Sequence, residues 1–574
     1  MNILGIIDGA HDAGACIVRD GKVIAAISEE RLNRIKVAGG FPFKSIDAVI
    51  DIAGIDYDKV DFIAIGSILT PQIYFRYIRG LRNIARLDNE YFYTEKITPK
   101  TWIADFIQFR SGITGIHPDS IIGRIEKPII KKLIRKELPH PLRTKPLNLV
   151  EHHYSHAASA YFTWNRQRVL CVTADGVGDG LCMTFNLCDN GKINRLCSVS
   201  YPASYAFLYA MVTGLLGFRP FRHEGKLMGL SGYGKAENVK LPFPFKKIND
   251  KIIFTQKWGI KGRNYYNQLK EYNREDVSAW LQSGIEEQVV ILIQEWIKKT
   301  KCRDICLSGG LFANVRLNQK IHQIKDIDSI YIFPHMGDGG LCVGGALYVW
   351  ASEMFKTGDN PFPQLLENVF LGPSFTNQYI EEYLKKSRVK YKYLQNIEIE
   401  VASLLAQGNI VAKYSGRMEF GPRALGNRSI LCSANNPKIK DILNFRLKRN
   451  EFMPFAPCTL YENAKEYYKN ISGAEHTAQF MNISFECTNL MKELNPGAVH
   501  VDDTARPQIV KKNNSSLYRI LKEYYKITGI PTLINTSFNI HEEPIVCTPQ
   551  DALKTIFEGK IDYLAIEKFL VKMP

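Results

Sequence analysis

Two histidines four residues apart, His152 and His156, fall on one face if their segment is helical. A strand-like apolar run over 169–174 follows and ends in Asp175-Gly176. Much further on, Phe333-Pro334-His335-Met336-Gly337-Asp338 sets a second carboxylate in a similar strand-to-glycine turn. Two neutral imidazoles and two carboxylates suit a borderline cation such as Fe(II), Mn(II) or Zn(II). The histidine pair alone reads equally well as a feature of a helix start. The two Asp-Gly strand ends favour a metal, because such turns seldom serve packing alone. His153 is expected to face away. The pattern points to chemistry on a phosphate or acyl group.

Further segments could hold the reacting partners. Gly5 to Gly14 places Gly9, Asp12 and His11 on a strand-turn-strand whose backbone N–H groups suit a phosphate. His11 is a candidate base towards a hydroxyl, and Lys36, in a charge run that otherwise reads as solvated, is a candidate contact for an anionic substrate. The run from His223 to Lys235 is rich in glycine and lysine but lacks Walker spacing; Lys226 is its candidate polyphosphate contact. Ser308-Gly309-Gly310 opens a helix, a common setting for phosphate or ribose. Asn314 and Asn318 on that helix suit sugar hydroxyls and backbone capping equally. Near the C-terminus, Arg417, Arg423 and Arg428 are interleaved with Gly and Pro. Arg446, Lys448, Arg449, Arg506 and the run Asn535-Thr-Ser537-Phe-Asn539 follow. Arginines fixed beside Gly-Pro turns suit bidentate recognition of an anion.

The elements that must carry these groups are α/β in pattern. Residues 3–7, 14–19 and 23–28 read as strands, with a hairpin turn at Asp20-Gly21-Lys22. The same order returns from Val169, with an Asp-Gly turn and then Asp189-Asn190-Gly191-Lys192, which suggests an internal duplication. Two such turns facing one another would clasp a nucleotide. A long helix is expected over 277–299, strands over 304–307 and 329–333, and a packing helix over 340–354. The boundaries drawn are a first domain over 1–356 with an excursion at 70–143, a linker at 357–368, and a second αβ domain over 369–574.

At 574 residues the chain should hold more than one domain, and 45% hydrophobic with 23% charged residues is ordinary for a globular protein. No signal segment or run of ~18 apolar residues is read from it, and its twelve cysteines lack a secreted framework, so a reduced, cytoplasmic protein is expected without membrane partners. The net charge of +16 reads as a lysine-rich solvated surface. The basic stretch 127–136 gives RNA a weak hearing, and nucleic acid is not expected as a partner.

These residues resemble the O-carbamoyltransferase family of nodulation and antibiotic-tailoring enzymes over nearly the whole chain. The motifs are His152-His-x-x-His156-Ala-Ala-Ser-Ala-Tyr161, Lys226-Leu-Met-Gly-Leu, Gly421-Pro-Arg-Ala-Leu-Gly426 and Asn535-Thr-Ser-Phe-Asn539. The resemblance implies a duplicated actin/sugar-kinase-type domain, like the threonylcarbamoylation ATPase, followed by an α+β YrdC-like domain. It implies ATP (as Mg-ATP) and carbamoyl phosphate as substrates, bound through Arg423, Lys448, Arg506, Asn535 and Ser537. Carbamoyl-adenylate formed there would pass to an N-terminal site. In that site His152, His156, Asp175 and Asp338 would hold Fe(II) or another divalent metal, and Gly9, Asp12, Lys226, Gly309, Gly310 and Asn314 would hold the adenylate. A hydroxylated small-molecule acceptor would then attack, with His11 and Lys36 as catalytic groups, and a homodimer is possible. Some relatives carry an arginine where this chain has Met453, which puts one phosphate contact in doubt. Rival readings are a tRNA threonylcarbamoyl-type enzyme and an ATP-driven chaperone or scaffold. Hydrogenase-maturation carbamoyltransferase would need Cys-x-x-Cys zinc motifs, which the chain lacks. Nothing in the sequence names the acceptor.

Overall fold

The computed structural model of the protein describes residues 1–9, 11–68, 117–248, 251–258, 262–449 and 455–573. The first domain contains two five-stranded sheets of the same topology. In one, β1 (Asn2–Ile7), β2 (Gly14–Arg19) and β3 (Lys22–Ser28) form an antiparallel meander. Strands β4 (Phe62–Ile65) and β5 (Leu147–Leu149) add in parallel on the far side of β1, giving the order β3-β2-β1-β4-β5. In the other, β6 (Arg168–Gly178), β7 (Leu181–Asp189) and β8 (Lys192–Ser200) repeat the meander. Strands β9 (Asp304–Ser308) and β10 (Ser329–Ile332) add in parallel beyond β6. The order β8-β7-β6-β9-β10 matches the first sheet strand for strand, so the duplication expected from the Asx-Gly turns is present. This is the doubled sheet of the actin/sugar-kinase class.

The second repeat departs from regular pairing where it matters. Ala174 pairs with Met183 and the next partners are Gly178 and Leu181, so residues 175–177 leave the ladder. Their backbone and the Asp175 side chain are thereby turned out of the sheet.

Two helices run between the sheets, α1 (His152–Tyr161) and α2 (Leu341–Lys356). Both are buried over most of their surface, α1 with polar residues in its first turns and α2 with a largely apolar sequence. Alanines 157, 158 and 160 of α1 and Leu341, Val343, Ala346 and Leu347 of α2 share one core cluster with Ile3, Val169 and Cys306. The helices cross with their backbones in contact. A Cβ on Gly344 would sit 1.7 Å from the Ser155 carbonyl oxygen, and one on Gly345 would be 3.3 Å from the Gly66 Cα. This close crossing fixes the start of α1 against the turn that leads into α2. Gly344→Ala is expected to cost about 1–3 kcal/mol through overpacking. Thermal unfolding reads it; an unchanged melting temperature would show that the crossing has slack.

Of the excursion, residues 117–143 are described; helix Ile121–Glu137 packs Ile130 and Ile134 on the first sheet's outer core. Residues 359–369 carry neither helix nor strand, and backbone bonds from Gln364 and Leu366 to Phe162 and Thr163 tie them to the end of α1. Beyond them an eight-stranded mixed sheet forms the core of the second domain. Its central strands are Val411–Tyr414, Arg428–Ser433 and Thr532–Ser537, with the last two antiparallel, and helices Ile397–Ala406 and Ser515–Thr528 cover one face. Arg31 donates to the Gly421 carbonyl at 2.9 Å, and Arg34 donates to the carbonyls of Pro544 and Ile545. These arginines, in the short helix Glu29–Asn33 after β3 and at its end, dock the second domain beside the turn that holds Asp338, since Gly421 lies against His335.

Candidate metal centre and anion pocket

The four ligand-type residues converge. His152 and His156 project from the first turns of α1 with their Nε2 atoms 3.1 Å apart. Asp175 Oδ2 lies 3.2 Å from His152 Nε2 and 3.9 Å from His156 Nε2; Asp338 Oδ1 lies 3.6 and 3.8 Å from the same atoms. One ligand-type atom from each residue lies within 4.8 Å of the other three. His153 points away, to Thr173 Oγ1 at 2.7 Å, as its position on the helix required.

His156 and Asp175 are held from behind. His156 Nδ1 bonds Ser308 Oγ at 3.1 Å, which leaves Nε2 for the cluster. Asp175 Oδ1 accepts the Gly310 N–H at 3.0 Å, so Oδ2 is the free oxygen. Gly309 makes that contact possible. Its φ is +112°, and a Cβ there would lie 2.1 Å from the Ala174 oxygen. Gly178 is equally constrained, since its Cβ position is filled by the His152 ring.

A divalent cation fits this group. Asp338 Oδ1 is buried with no hydrogen-bond donor, and the Nε2 atoms of His152 and His156 face it, each other and Asp175 Oδ2 around one point. The charge balance agrees. Burial works against a charged His152, yet Asp338 and Asp175 outweigh it and raise the imidazole to about 9. Burial likewise opposes ionised Asp175, and the two histidines hold it well below the ordinary carboxylate range. Nε2 of His152 must lose its proton to ligate. Metal affinity is therefore expected to rise about tenfold per pH unit from roughly pH 6.5 until it levels near pH 9. Co(II) titrations at about pH 6.5 and 8.5 check this, and equal affinities would contradict it.

Around the cluster, His11 Nδ1 bonds Asp12 Oδ2 at 3.0 Å and its Nε2 lies 4.0 Å from Asp338 Oδ2. Burial disfavours its charge, but Asp12 and Asp338 prevail and push it up to about 10. Asp12, against its own burial, is held down to about 2 by His11. Lys36 reaches Glu30 at 3.8 Å, and burial pulls its ammonium down. Gly9 accepts from the Gly40 N–H in the same turn. Lys226 sits on the short helix Glu224–Leu230. Just before this helix Phe221, at φ +62°, stacks on His11 with ring centroids 6.1 Å apart. Asn314 is taken up differently. Its Oδ1 caps its own helix through Leu317 N–H, and its amide pairs both ways with Gln282. The capping alternative is the one the fold uses.

In the second domain Arg423 and Arg506 approach closely enough to repel one another. Burial pushes Arg423 down to about 10, and burial with Arg423's charge pushes Arg506 down further. Among the described residues no carboxylate pairs with either, and Arg423 Nε is buried with no acceptor. Asn535 lines the same turn, its amide donating to the Ala424 carbonyl and to Gln508, with its own oxygen buried and without a donor. Ser537 Oγ receives Arg449 at 3.0 Å, and Arg449 also reaches Thr536 and Asn539. Lys448 is exposed, at φ +54° in the turn after its helix, so Arg449 is the cation turned towards Ser537. Met453 lies outside the described residues. Glu419, which sequence reasoning passed over, organises the loop: its Oε1 accepts the N–H groups of Leu425, Asn427 and Arg428. Arg428 is fully buried and spent on the carbonyls of Ser415, Gly416 and Asn427, so it belongs to the fold.

The doubled sheets carry a cluster of four metal-ligand-type side chains between them, and a second domain holds a close arginine pair with no carboxylate partner among the described residues. Comparison with known proteins narrows the class. The sequence matches the carbamoyltransferase N-terminus family over residues 2–347 and the carbamoyltransferase C-terminus family over 402–573. The chain belongs to the carbamoyltransferase family. It is 31% identical to protein MJ1058 of Methanocaldococcus jannaschii over 100% of this chain and 99% of that one. It is 29% identical to nodulation protein NolNO of Sinorhizobium fredii over 98% of this chain and 79% of that one. Among solved structures, full-length HypF in a phosphate- and nucleotide-bound form overlaps 62% of this chain and 56% of its own at 15% identity, with a TM-score of 0.35. Among the described residues no helix is long and apolar enough to cross a membrane.

Proposed function

We propose that this protein is an ATP-dependent O-carbamoyltransferase that forms carbamoyl-adenylate in its second domain and transfers the carbamoyl group to an acceptor hydroxyl in its first. The observation that carries the reading is the presence of two complementary sites in one chain. Among the described residues no carboxylate pairs with Arg423 or Arg506, and His152, His156, Asp175 and Asp338 each bring one ligand-type atom within 4.8 Å of the others.

In the first stage Arg423 and Arg506 bind the phosphate of carbamoyl phosphate, while Asn535 and the Arg449-held Ser537 orient its carbamoyl end. Hydrolytic loss of phosphate leaves carbamate, whose oxygen attacks the α-phosphorus of ATP; the new P–O bond forms as pyrophosphate departs. In the second stage the turns at Gly9 and at Gly309-Gly310, whose own N–H groups go to the Met336 carbonyl and to Asp175, border the adenylate, and Lys226 adds a positive charge beside its phosphate. His152, His156, Asp175 and Asp338 would hold a divalent metal, Fe(II) on the family resemblance. When bound it supplies Lewis-acid stabilisation of the charge that develops on the leaving phosphate.

The acceptor oxygen bonds to the carbamoyl carbon, AMP leaves, and the hydroxyl proton passes to His11 Nε2. That nitrogen is available because Nδ1 is committed to Asp12. It accepts a proton only when the Asp338 carboxylate is otherwise engaged, since the two acids together keep the ring protonated to about 10. Lys36 steadies the negative charge at the entrance.

Incubation with ATP, carbamoyl phosphate and metal-loaded protein, without acceptor, followed by mass spectrometry, tests the reading. Carbamoyl-adenylate is the expected product; its absence from folded, ATP-binding protein would sink it. A panel of hydroxylated metabolites scored for a carbamoyl mass increment then identifies the acceptor.

A further inference from the structure

We infer that Asp179 is a positioning residue for the metal centre, fixing His152 and tying it to the Ser67–Ile68 segment of the opposite half of the domain. The inference rests on the reading of the His152/His156/Asp175/Asp338 cluster as a metal site.

Asp179 lies in the turn between β6 and β7, in the left-handed region at φ +49°, and is 5% exposed. Its carboxylate Oδ2 accepts the His152 N–H at 2.8 Å and the Ile68 N–H at 3.0 Å, while Oδ1 accepts the Ser67 hydroxyl at 3.3 Å. The ordinary needs of the α1 N-terminus are already met without it. Glu151 caps the helix by accepting the N–H groups of His153 and Tyr154 at 3.0 and 2.9 Å. A second buried carboxylate at this helix end is therefore directed at one residue, His152, whose N–H has no intrahelical acceptor.

The same turn grips the rest of that histidine. Asp175 Oδ2 meets Nε2 at 3.2 Å, and the glycine at 178 leaves room that the ring fills, its Cγ only 2.1 Å from where a Cβ would be. Backbone, ring face and ligand nitrogen are thus set by residues 175–179 of one turn. Asp179 extends the grip across the clasp. Ser67 and Ile68 follow β4 of the first sheet, whereas Asp179 and His152 belong to the second sheet and the helix beside it.

Two N–H donors share one oxygen and a hydroxyl meets the other, so an amide could replace the bonds while losing the charge, whereas alanine removes all three. Loss of such supporting groups typically lowers metal affinity about 10–100-fold.

The test is Co(II) binding to the full-length protein, read by its visible ligand-field bands and by titration. Asp179→Ala is expected to bind Co(II) about 10–100-fold more weakly with altered bands. Carbamoyl-phosphate-dependent pyrophosphate release in the second domain should stay within about twofold of wild type, a pattern that general loosening of the fold would not give. Asp179→Glu keeps the charge but displaces the carboxylate; it carries the same test if Asp179→Ala does not fold. Wild-type affinity and wild-type bands in either folded variant would overturn the inference. Failure of the wild-type protein itself to bind Co(II) would instead overturn the reading of the cluster as a metal site, so the two failures are distinguishable.

Discussion

Replacing His152 with alanine is expected to reduce carbamoyl transfer by about 10³-fold or more and leave carbamoyl-adenylate formation within about twofold of wild type. The first part follows from geometry. His152 Nε2 is the atom closest to the centre of the cluster, 3.1 Å from His156, 3.2 Å from Asp175 and 3.6 Å from Asp338. Its removal leaves one imidazole and two carboxylates whose mutual repulsion is no longer relieved, so a cation is held less well and in the wrong place. About 4 kcal/mol of transition-state stabilisation corresponds to 10³ in rate. The second part follows from the fold: Arg423 and Arg506 stand in another domain and, among the described residues, share no partner with α1. Rapid-quench analysis of ATP, AMP and carbamoylated product separates the two stages. Equal loss of both in a folded variant would contradict the two-site account.

The complementary change is Arg506→Met, which should abolish the first stage and stabilise the fold. Arg506 is half-buried next to a like charge, with no carboxylate to offset it among the described residues, an arrangement that a bound anion would relieve. Methionine keeps the apolar stem and removes the charge, so unfolding stability is expected to rise by about 1–3 kcal/mol. Loss of charge-assisted bonds to phosphate should slow adenylate formation about 10²-fold or more. Transfer from supplied carbamoyl-adenylate should survive. A lower melting temperature together with full first-stage activity would show that Arg506 is a structural cation, as Arg428 is.

Much of this site could be read from residue order, and the reasons are specific. His152 and His156 are four apart on a short helix, so one turn brings them together whatever the tertiary context. Asp175 and Asp338 each end a strand-like run at glycine, and chain turns at sheet ends place such residues at clefts. The repeated Asx-Gly turns exposed the duplication because each repeat is a local meander. The convergence of the four ligands was not legible in itself, since it depends on α1 and α2 crossing at Gly344, a contact between distant segments. Supporting groups were missed for the same reason. Ser308 behind His156, Asp179 behind His152 and Glu419 under the arginine loop are ordinary residues until the fold brings them to their partners. The close glycines at 176, 178 and 180 were the available signal for the turn around His152. Asn314 was ambiguous between ligand and cap, and Gln282 on another helix decides for the cap. Adjacent cations were beyond sequence reading as well: a left-handed turn at Lys448 sends Arg449 rather than Lys448 to Ser537.

The central claim is that one chain makes an acyl-adenylate and then spends it at a second site, although its first domain has the sheets of a kinase-like fold. The direct measurement is carbamoyl-phosphate-dependent exchange of labelled pyrophosphate into ATP by the full-length protein without acceptor. The account expects exchange that requires carbamoyl phosphate, disappears in Arg506→Met and persists in His152→Ala. ADP and phosphate as the only nucleotide products, with no pyrophosphate exchange, would contradict it.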